Sequence, residues 1–309
     1  MKNILILLFM VFMLSHFAKA ETIKIAVIDT GFDFKSEWGP NKHGLVKPKF
    51  CVADSKKGIY THRDFVLEEL MRPEFEELKA LLKSPNPDGD RVMALSVGHN
   101  IRRRSLAQDN HGHGTHVAGI IAKELKDVDY CMIILKYFDP NSATNNLKNT
   151  IKAFKYAVSL NVDYINYSGG GLEYSQEEKN IVMEALKKGI KVVTAAGNER
   201  TNSDVNKYYP AQYDPRIINV GNRCIECDGG YIEGKDRFGK TIKISSSSNY
   251  GNSIDYYEIG EKVISLYPNN GYGPMTGTSQ ATPKALAKEV KRDILRKKIE
   301  FYEKTKNII

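Results

Sequence analysis

Four short stretches of the chain carry side chains able to do acid–base or nucleophilic chemistry, each beside a glycine. Asp29 ends the apolar run Ile23-Lys-Ile-Ala-Val-Ile28, directly before Thr30-Gly31. His113 lies in His111-Gly-His-Gly-Thr-His116-Val-Ala-Gly119, at the mouth of a helix pattern rich in Gly and Ala. Asn198 closes the run Val192-Val-Thr-Ala-Ala-Gly-Asn198, where a side-chain amide can donate to negative charge developing in a cleft. Ser279 sits in Gly277-Thr-Ser-Gln-Ala-Thr-Pro283. A proline is accommodated only near the first turn of a helix, which puts Ser279 at a helix entrance with its backbone N–H outward. A carboxylate, an imidazole, a hydroxyl and an amide donor are the groups needed to activate an alcohol and stabilise an oxyanion. Taken singly, each has a duller reading, such as a turn or a cap for Asp29. A metal reading of His111, His113 and His116 finds no acidic partner at a familiar zinc spacing, so no metal site is assigned.

These residues need a scaffold that gathers strand ends. Short, nearly continuous apolar runs at Ile23–Ile28, Cys131–Leu135, Val162–Ile165, Ile190–Ala196 and Ile217–Val220 read as strands buried on both faces. Helical patterns lie between them. Leu147, Ile151, Phe154 and Val158 share one face, and Ser175-Gln-Glu-Glu178 reads as a capping box for a helix that stops at Gly189. The alternation predicts an α/β fold with a doubly wound, mainly parallel sheet flanked by helices, whose ligands bind beyond the carboxyl ends of the strands. Two stretches depart from it. Residues 54–108 form a charged insertion with a helical pattern at Leu67, Leu70, Met71, Phe75, Leu78 and Leu82, followed by Arg102-Arg103-Arg104, read as a solvated loop rather than a processing site. From Lys284 to Lys306 a basic helix places Leu286, Val290, Ile294 and Ile299 at helical spacing, a stripe expected to pack on the sheet rather than on a membrane.

The chain has 309 residues, 41% hydrophobic and 27% charged, which excludes collagen, low-complexity disorder and a polytopic membrane protein. The formal charge of 45 − 37 = +8 is spread along the chain, unlike the clustered footprint of a nucleic-acid binder. Residues 1–20 read as a secretory signal: Lys2, an apolar run from Ile4 to Leu14 too short to span a bilayer, then Ala18-Lys19-Ala20. Residues 21–309 then form a single domain with no stable membrane span, in a secreted or periplasmic protein. Export opens disulfide chemistry to the four cysteines. Cys224 and Cys227 could form a tight disulfide or half of a zinc site, and the lack of a second suitably spaced pair favours the disulfide. Cys131 reads as a buried, inert thiol; Cys51 is left open.

Together, Ala26-Val-Ile-Asp-Thr-Gly31, His113-Gly-Thr-His-Val-Ala-Gly119, Ala195-Ala-Gly-Asn198 and Gly277-Thr-Ser-Gln-Ala-Thr-Pro283 resemble the motifs of the subtilases, the subtilisin-like serine proteases, in the order Asp, His, Ser. The resemblance implies the subtilisin-like three-layer fold and a serine endopeptidase of peptide or protein substrates. It makes Ser279 the nucleophile, His113 the general base and Asp29 its orienting carboxylate. It also makes the Asn198 amide and the Ser279 N–H the oxyanion hole, and Ser168, Gly169 and Gly170 the edge on which an extended peptide binds. No cofactor is required for that chemistry. Calcium often stabilises the family, but no carboxylate cluster here assigns a site.

This chain departs from the family pattern in three ways. Gln280 stands where the family often has Met. The insertion is longer than the usual connection, lying either over or beside the cleft to restrict access, or away from it. The first strand follows the signal so closely that maturation without removal of an N-terminal prodomain is expected. An inactive peptide-binding relative, or a peptide ligase using the same acyl-enzyme, are the competing functions. Activity is expected to fall as His113 protonates, on the order of pH 6–7.

Overall fold

The computed structural model describes residues 22–38, 41, 43–52, 62–85, 88–103 and 107–306, with the backbone alone for 97–103. The signal segment at 1–20 and Arg104 lie outside the described residues. Among the described residues, no helix is long and apolar enough to cross a membrane.

The apolar runs form the centre of a sheet of nine strands among the described residues. Strands β1 (Ile23–Asp29), β2 (His62–Asp64), β3 (Tyr130–Lys136), β4 (Tyr164–Tyr167), β5 (Lys191–Ala195) and β6 (Ile218–Arg223) run parallel in the order β2-β3-β1-β4-β5-β6. Beyond β6, β7 (Tyr231–Lys235) and β8 (Thr241–Ser245) add an antiparallel pair, while β9 (Tyr256–Ile259) joins β6 in parallel. A separate hairpin, β10 (Val263–Tyr267) and β11 (Gly271–Met275), precedes the last helix.

Successive residues of a strand face opposite sides, and β1 shows what that requires. Ile25 and Val27 enter one core with Val117 and Ile121 of helix α4 (His113–Glu124) and with Leu286 and Val290 of α7 (Thr278–Lys306). Ala26 and Ile28 enter the other with Ile151 and Phe154 of α5 (Asn146–Ser159) and Val182 of α6 (Gln176–Lys187). Both faces are covered, which is why the strand carries almost no polar residue. Ser175 caps α6 as its spacing suggests, accepting from the N–H of Glu178 at 3.2 Å. The return half of the capping box runs through Tyr213, whose hydroxyl donates to Glu178 at 2.7 Å and accepts from the Ser175 N–H at 3.0 Å.

The insertion adds β2 to the outer edge of β3, so two strands separate it from β4, at whose exit Ser168–Gly170 lie. Its helical pattern is two helices, α1 (Phe65–Leu70) and α2 (Arg72–Lys83), followed by α3 (Gly89–Arg103). Pro73 cannot donate to the carbonyl of Glu69 and clashes with it, so the chain breaks at Met71, and Leu70 and Leu82 are left exposed. Arg102 and Arg103 belong to the end of α3 rather than to a loop. Helix α1 packs on the α5 side through Phe65, with the Arg63 guanidinium 4.9 Å from the Phe65 ring and 4.7 Å from that of Tyr156.

Two further expectations are corrected. The stripe of α7 is buried at Leu286 and Val290 and half-buried at Ile294, but Ile299 is 53% exposed because the helix runs past the sheet it packs on. Cys131 is not a free thiol. It is bonded to Cys51, and Cys224 to Cys227. The backbone of 49–51 lies as an extra strand segment against β3: Met132 N–H donates to Lys49 O at 2.8 Å and Cys51 N–H to Met132 O at 3.0 Å, which sets Cys51 beside Cys131. That bond spans 80 residues, a closure that removes on the order of 4 kcal/mol of unfolded-state entropy. The double variant Cys51→Ser/Cys131→Ser is therefore expected to lose about 2–5 kcal/mol in urea unfolding, and Cys224→Ser/Cys227→Ser, which opens only a tight local loop, clearly less.

Candidate active site

Because β1, β4 and β5 are adjacent and parallel, Asp29, Ser168 and Asn198 emerge at the same edge of the sheet. The first turn of α4 is brought to that edge by glycines. A Cβ on Gly114 would stand 2.2 Å from the Gly31 carbonyl oxygen, and one on Gly31 2.4 Å from that of Ala107. The bare backbones let the helix mouth rest directly on the β1 exit. His113 Nδ1 then donates to Asp29 Oδ1 at 2.7 Å. Asp29 is 2% exposed and its Oδ1 also accepts from the Thr30 N–H at 2.7 Å, whereas its Oδ2 is buried without a partner.

A residue absent from the sequence reading organises this junction. Asp109 is buried, and its Oδ1 accepts from the Thr30 hydroxyl at 2.9 Å, the His111 N–H at 3.0 Å and the Gly112 N–H at 2.8 Å. Its Oδ2 accepts from the Thr115 N–H at 2.8 Å and hydroxyl at 2.7 Å. The carboxylate thus serves donors that a helix start leaves without intrahelical partners and binds the helix to the β1 turn. Thr30 completes the link by accepting from the Gly114 N–H at 2.8 Å. An acid just ahead of His113 was the available signal, one that reads equally well as an ordinary loop residue.

His116, singled out with His111 and His113, has a structural task. Its Nε2 donates to the carbonyls of Val263 (2.8 Å) and Gly273 (3.0 Å), fastening α4 to the β10–β11 hairpin. Burial pushes its pKa down to about 4, so it is neutral at pH 7. Among the described residues, no three His, Cys, Asp or Glu side chains are grouped to hold a metal.

Ser279 is the second residue of α7, and Pro283 lies deeper in that helix than the sequence reading required. Pro283 has no N–H for the carbonyl four residues earlier, which is that of Ser279. Ser168 Oγ donates to this carbonyl at 2.9 Å and is itself held by Asn166 Nδ2 at 3.0 Å. In return, Ser279 Oγ donates to the Ser168 carbonyl at 3.0 Å. Asn198, an exposed residue, accepts at Oδ1 from the Thr278 N–H at 2.9 Å and hydroxyl at 3.1 Å, which orients the amide beside the residue preceding Ser279. The structure therefore joins Asp29 to His113, Ser168 to Ser279, and Asn198 to Thr278. No hydrogen bond joins the His113 imidazole to the Ser279 hydroxyl. Gln280 is buried, its Nε2 directed at the Met275 sulfur at 3.7 Å, so it packs behind the site.

Along the same edge, Gly170, Gly171 and Leu172 border a cavity of about 450 Å³ that is also lined by Tyr137, Tyr167 and Tyr209. Gly171 and Tyr209 pair through both N–H···O bonds, at 2.9 and 2.8 Å.

Comparison with known proteins follows the same lines. The model of the subtilase family, Peptidase_S8, matches residues 20–288. The major intracellular serine protease of Bacillus subtilis (strain 168) is 32% identical over 190 residues, 59% of this chain and 54% of that one. Subtilisin of Bacillus pumilus is 32% identical over 184 residues, 57% of this chain and 61% of that one. The chain thus spans little more than half the length of these curated relatives. Among solved structures, a cold adapted subtilisin-like serine proteinase superposes with a TM-score of 0.53 at 20% identity, covering 85% of this chain and 71% of that one, which establishes the shared fold.

The imidazole of His113, with a side chain 21% exposed, feels opposing influences. Burial lowers its pKa, but the charge and hydrogen bond of Asp29, with the charge of Asp109, outweigh burial and hold it above the ordinary 6.5. The ring NMR resonances of His113 should accordingly titrate with a midpoint above 6.5 in the wild type, and the midpoint should move down in Asp29→Asn, where the carboxylate's charge is gone.

Proposed function

Because the chain belongs to the subtilase family, we propose that it is an exported serine endopeptidase in which Ser279 is the nucleophile, His113 the general base and Asp29 the group that orients the base. The observation that carries this reading is the 2.7 Å bond from His113 Nδ1 to a buried carboxylate, made at the sheet edge where Ser279 and Asn198 also lie. That bond fixes the proton on Nδ1 and leaves Nε2 as the basic nitrogen.

A peptide entering as an added strand along Ser168–Gly170 brings N–H groups to that edge. One of them takes the Ser168 carbonyl from the Ser279 hydroxyl, which then donates to His113 Nε2. Oγ attacks the scissile carbonyl as its proton passes to Nε2. The oxyanion is met by Asn198 Nδ2 and the Ser279 N–H. The imidazolium, stabilised by Asp29, next protonates the departing amine, leaving an acyl-enzyme that water resolves by the same steps in reverse roles. The raised pKa of His113 gives the sign of the pH dependence: the base is lost below a midpoint above 6.5, so the acid limb lies higher than an unperturbed histidine would put it.

The Ser279–Ser168 hydrogen bond at rest equally suits an inactive, peptide-binding relative, and turnover separates the two. Export is supported by the two disulfides, which fit an oxidising compartment. In a peptide-library digest, Ser279→Ala should abolish cleavage, and Asn198→Ala should lower kcat about 10²–10³-fold with a smaller change in KM. Equal cleavage by Ser279→Ala removes the reading.

A further inference from the structure

Two parts of the surface expose apolar side chains among basic ones, and one tyrosine ties them to the same side of the molecule. The first is the far end of α7, where every residue from Leu295 to Lys304 is exposed because the helix has passed the sheet. Leu295, Ile299 and Tyr302, at helical steps of four and three, form a stripe and are 57%, 53% and 64% exposed. The second is the turn of the β7–β8 hairpin, where Phe238 is 81% exposed. Asp236 Oδ1 accepts from the N–H groups of Phe238 at 2.9 Å and Lys240 at 3.0 Å, which fixes the turn with Phe238 at its tip.

The tie is Tyr256, at the start of β9. The Arg237 guanidinium stands 4.8 Å from its ring centre, and that of Arg292 stands 5.5 Å away. The Tyr256 hydroxyl donates to Glu289 Oε1 at 2.6 Å, and Arg292 reaches the same oxygen at 2.8 Å, so the hairpin turn is seated beside α7. Leu295 and Ile299 follow Arg292 by three and seven residues and therefore share its side of the helix. This face is basic. Residues 294–306 carry five Lys or Arg against two Glu, and 235–240 carry three against Asp236, whose carboxylate the turn engages. One of the two glutamates, Glu300, is 3.9 Å from Arg296.

Partner classes answer to these properties differently. A second copy would set basic against basic. A nucleic acid would satisfy the charges and leave Leu295, Ile299 and Phe238 in water. An anionic lipid leaflet meets both needs: apolar side chains enter its acyl boundary while lysine and arginine reach its headgroups. We propose that the far end of α7 and the turn of the β7–β8 hairpin form one face that docks the protein peripherally on an anionic phospholipid surface. The docked helix lies on the bilayer and does not cross it. Leu295 is about 24 Å of helix beyond Ser279, so the lipid meets α7 at the end opposite the candidate site. The proposal is independent of the peptidase reading.

The test is sedimentation of the purified protein with vesicles of phosphatidylcholine, alone or mixed with phosphatidylglycerol. The wild type is expected to bind the mixed vesicles at least about tenfold more strongly and to be released by about 0.5 M salt. Leu295→Ser/Ile299→Ser and Phe238→Ser should each weaken that binding about tenfold or more, and Lys240→Gln/Lys298→Gln about tenfold. All five positions are exposed, so the variants are expected to keep the wild-type thermal unfolding midpoint. Should the helix variant fail to fold, the Phe238 variant decides. Failure of the wild type to bind the mixed vesicles overturns the proposal, as does equal binding to both vesicle types. Binding that the folded apolar variants leave unchanged, and that duplex DNA displaces, also overturns it, since the face then recognises charge alone. Self-association lost in Leu295→Ser/Ile299→Ser, without vesicle binding, assigns the face to a second copy instead.

Discussion

The site depends on one close approach, that of the first turn of α4 to the exit of β1. Gly31 and Gly114 meet there with no room for a side chain on either. Without that contact His113 could not reach the carboxylate of Asp29, which is buried at the end of a strand and cannot move toward it. Asp109 makes the approach durable by gathering five donors from the β1 turn and the helix start onto one carboxylate. Glycine supplies proximity, and the buried acid holds it. The electrostatic result, a histidine more basic than usual, follows from placing that ring beside two carboxylates while burial works against it.

The Ser279 side of the site is governed by a defect in a helix. Pro283 deprives the Ser279 carbonyl of its helical donor, and Ser168 provides the missing hydrogen bond from the neighbouring strand exit. Helix α7 is thereby registered against the β4 exit at Ser168, and Asn198 grips Thr278 from the next strand exit along. A structural shortcoming at the proline thus becomes a tie between the Ser279 backbone carbonyl and the Ser168 hydroxyl.

Much of this was legible in the sequence where the cause is local. Strands covered on both faces must be continuously apolar, so the runs ending at Asp29, near Ser168 and before Asn198 could be read directly. Ser175 and Gly189 punctuate α6 through capping chemistry that acts over a few residues. The break at Met71 was also a local consequence, of Pro73, and the hydrophobic pattern alone hid it. What was not legible arises from contacts distant in the chain. Cys51 meets Cys131 only because residues 49–51 pair with β3. Asp109 reads as a loop residue until α4 and the β1 turn surround it. Ile299 fits the stripe of α7, yet the helix outruns its sheet, and nothing in its spacing says where the sheet ends.

The most direct measurement of the central claim is the reaction of the wild-type protein with a fluorophosphonate, mapped by peptide mass spectrometry and repeated with His113→Ala. An activated alcohol paired with its base gives a stoichiometric adduct on Ser279 alone, and the adduct is lost in the variant. No adduct on Ser279, or labelling of Ser279 that is equally fast without the imidazole, would contradict the assembly of carboxylate, imidazole and hydroxyl into one catalytic unit.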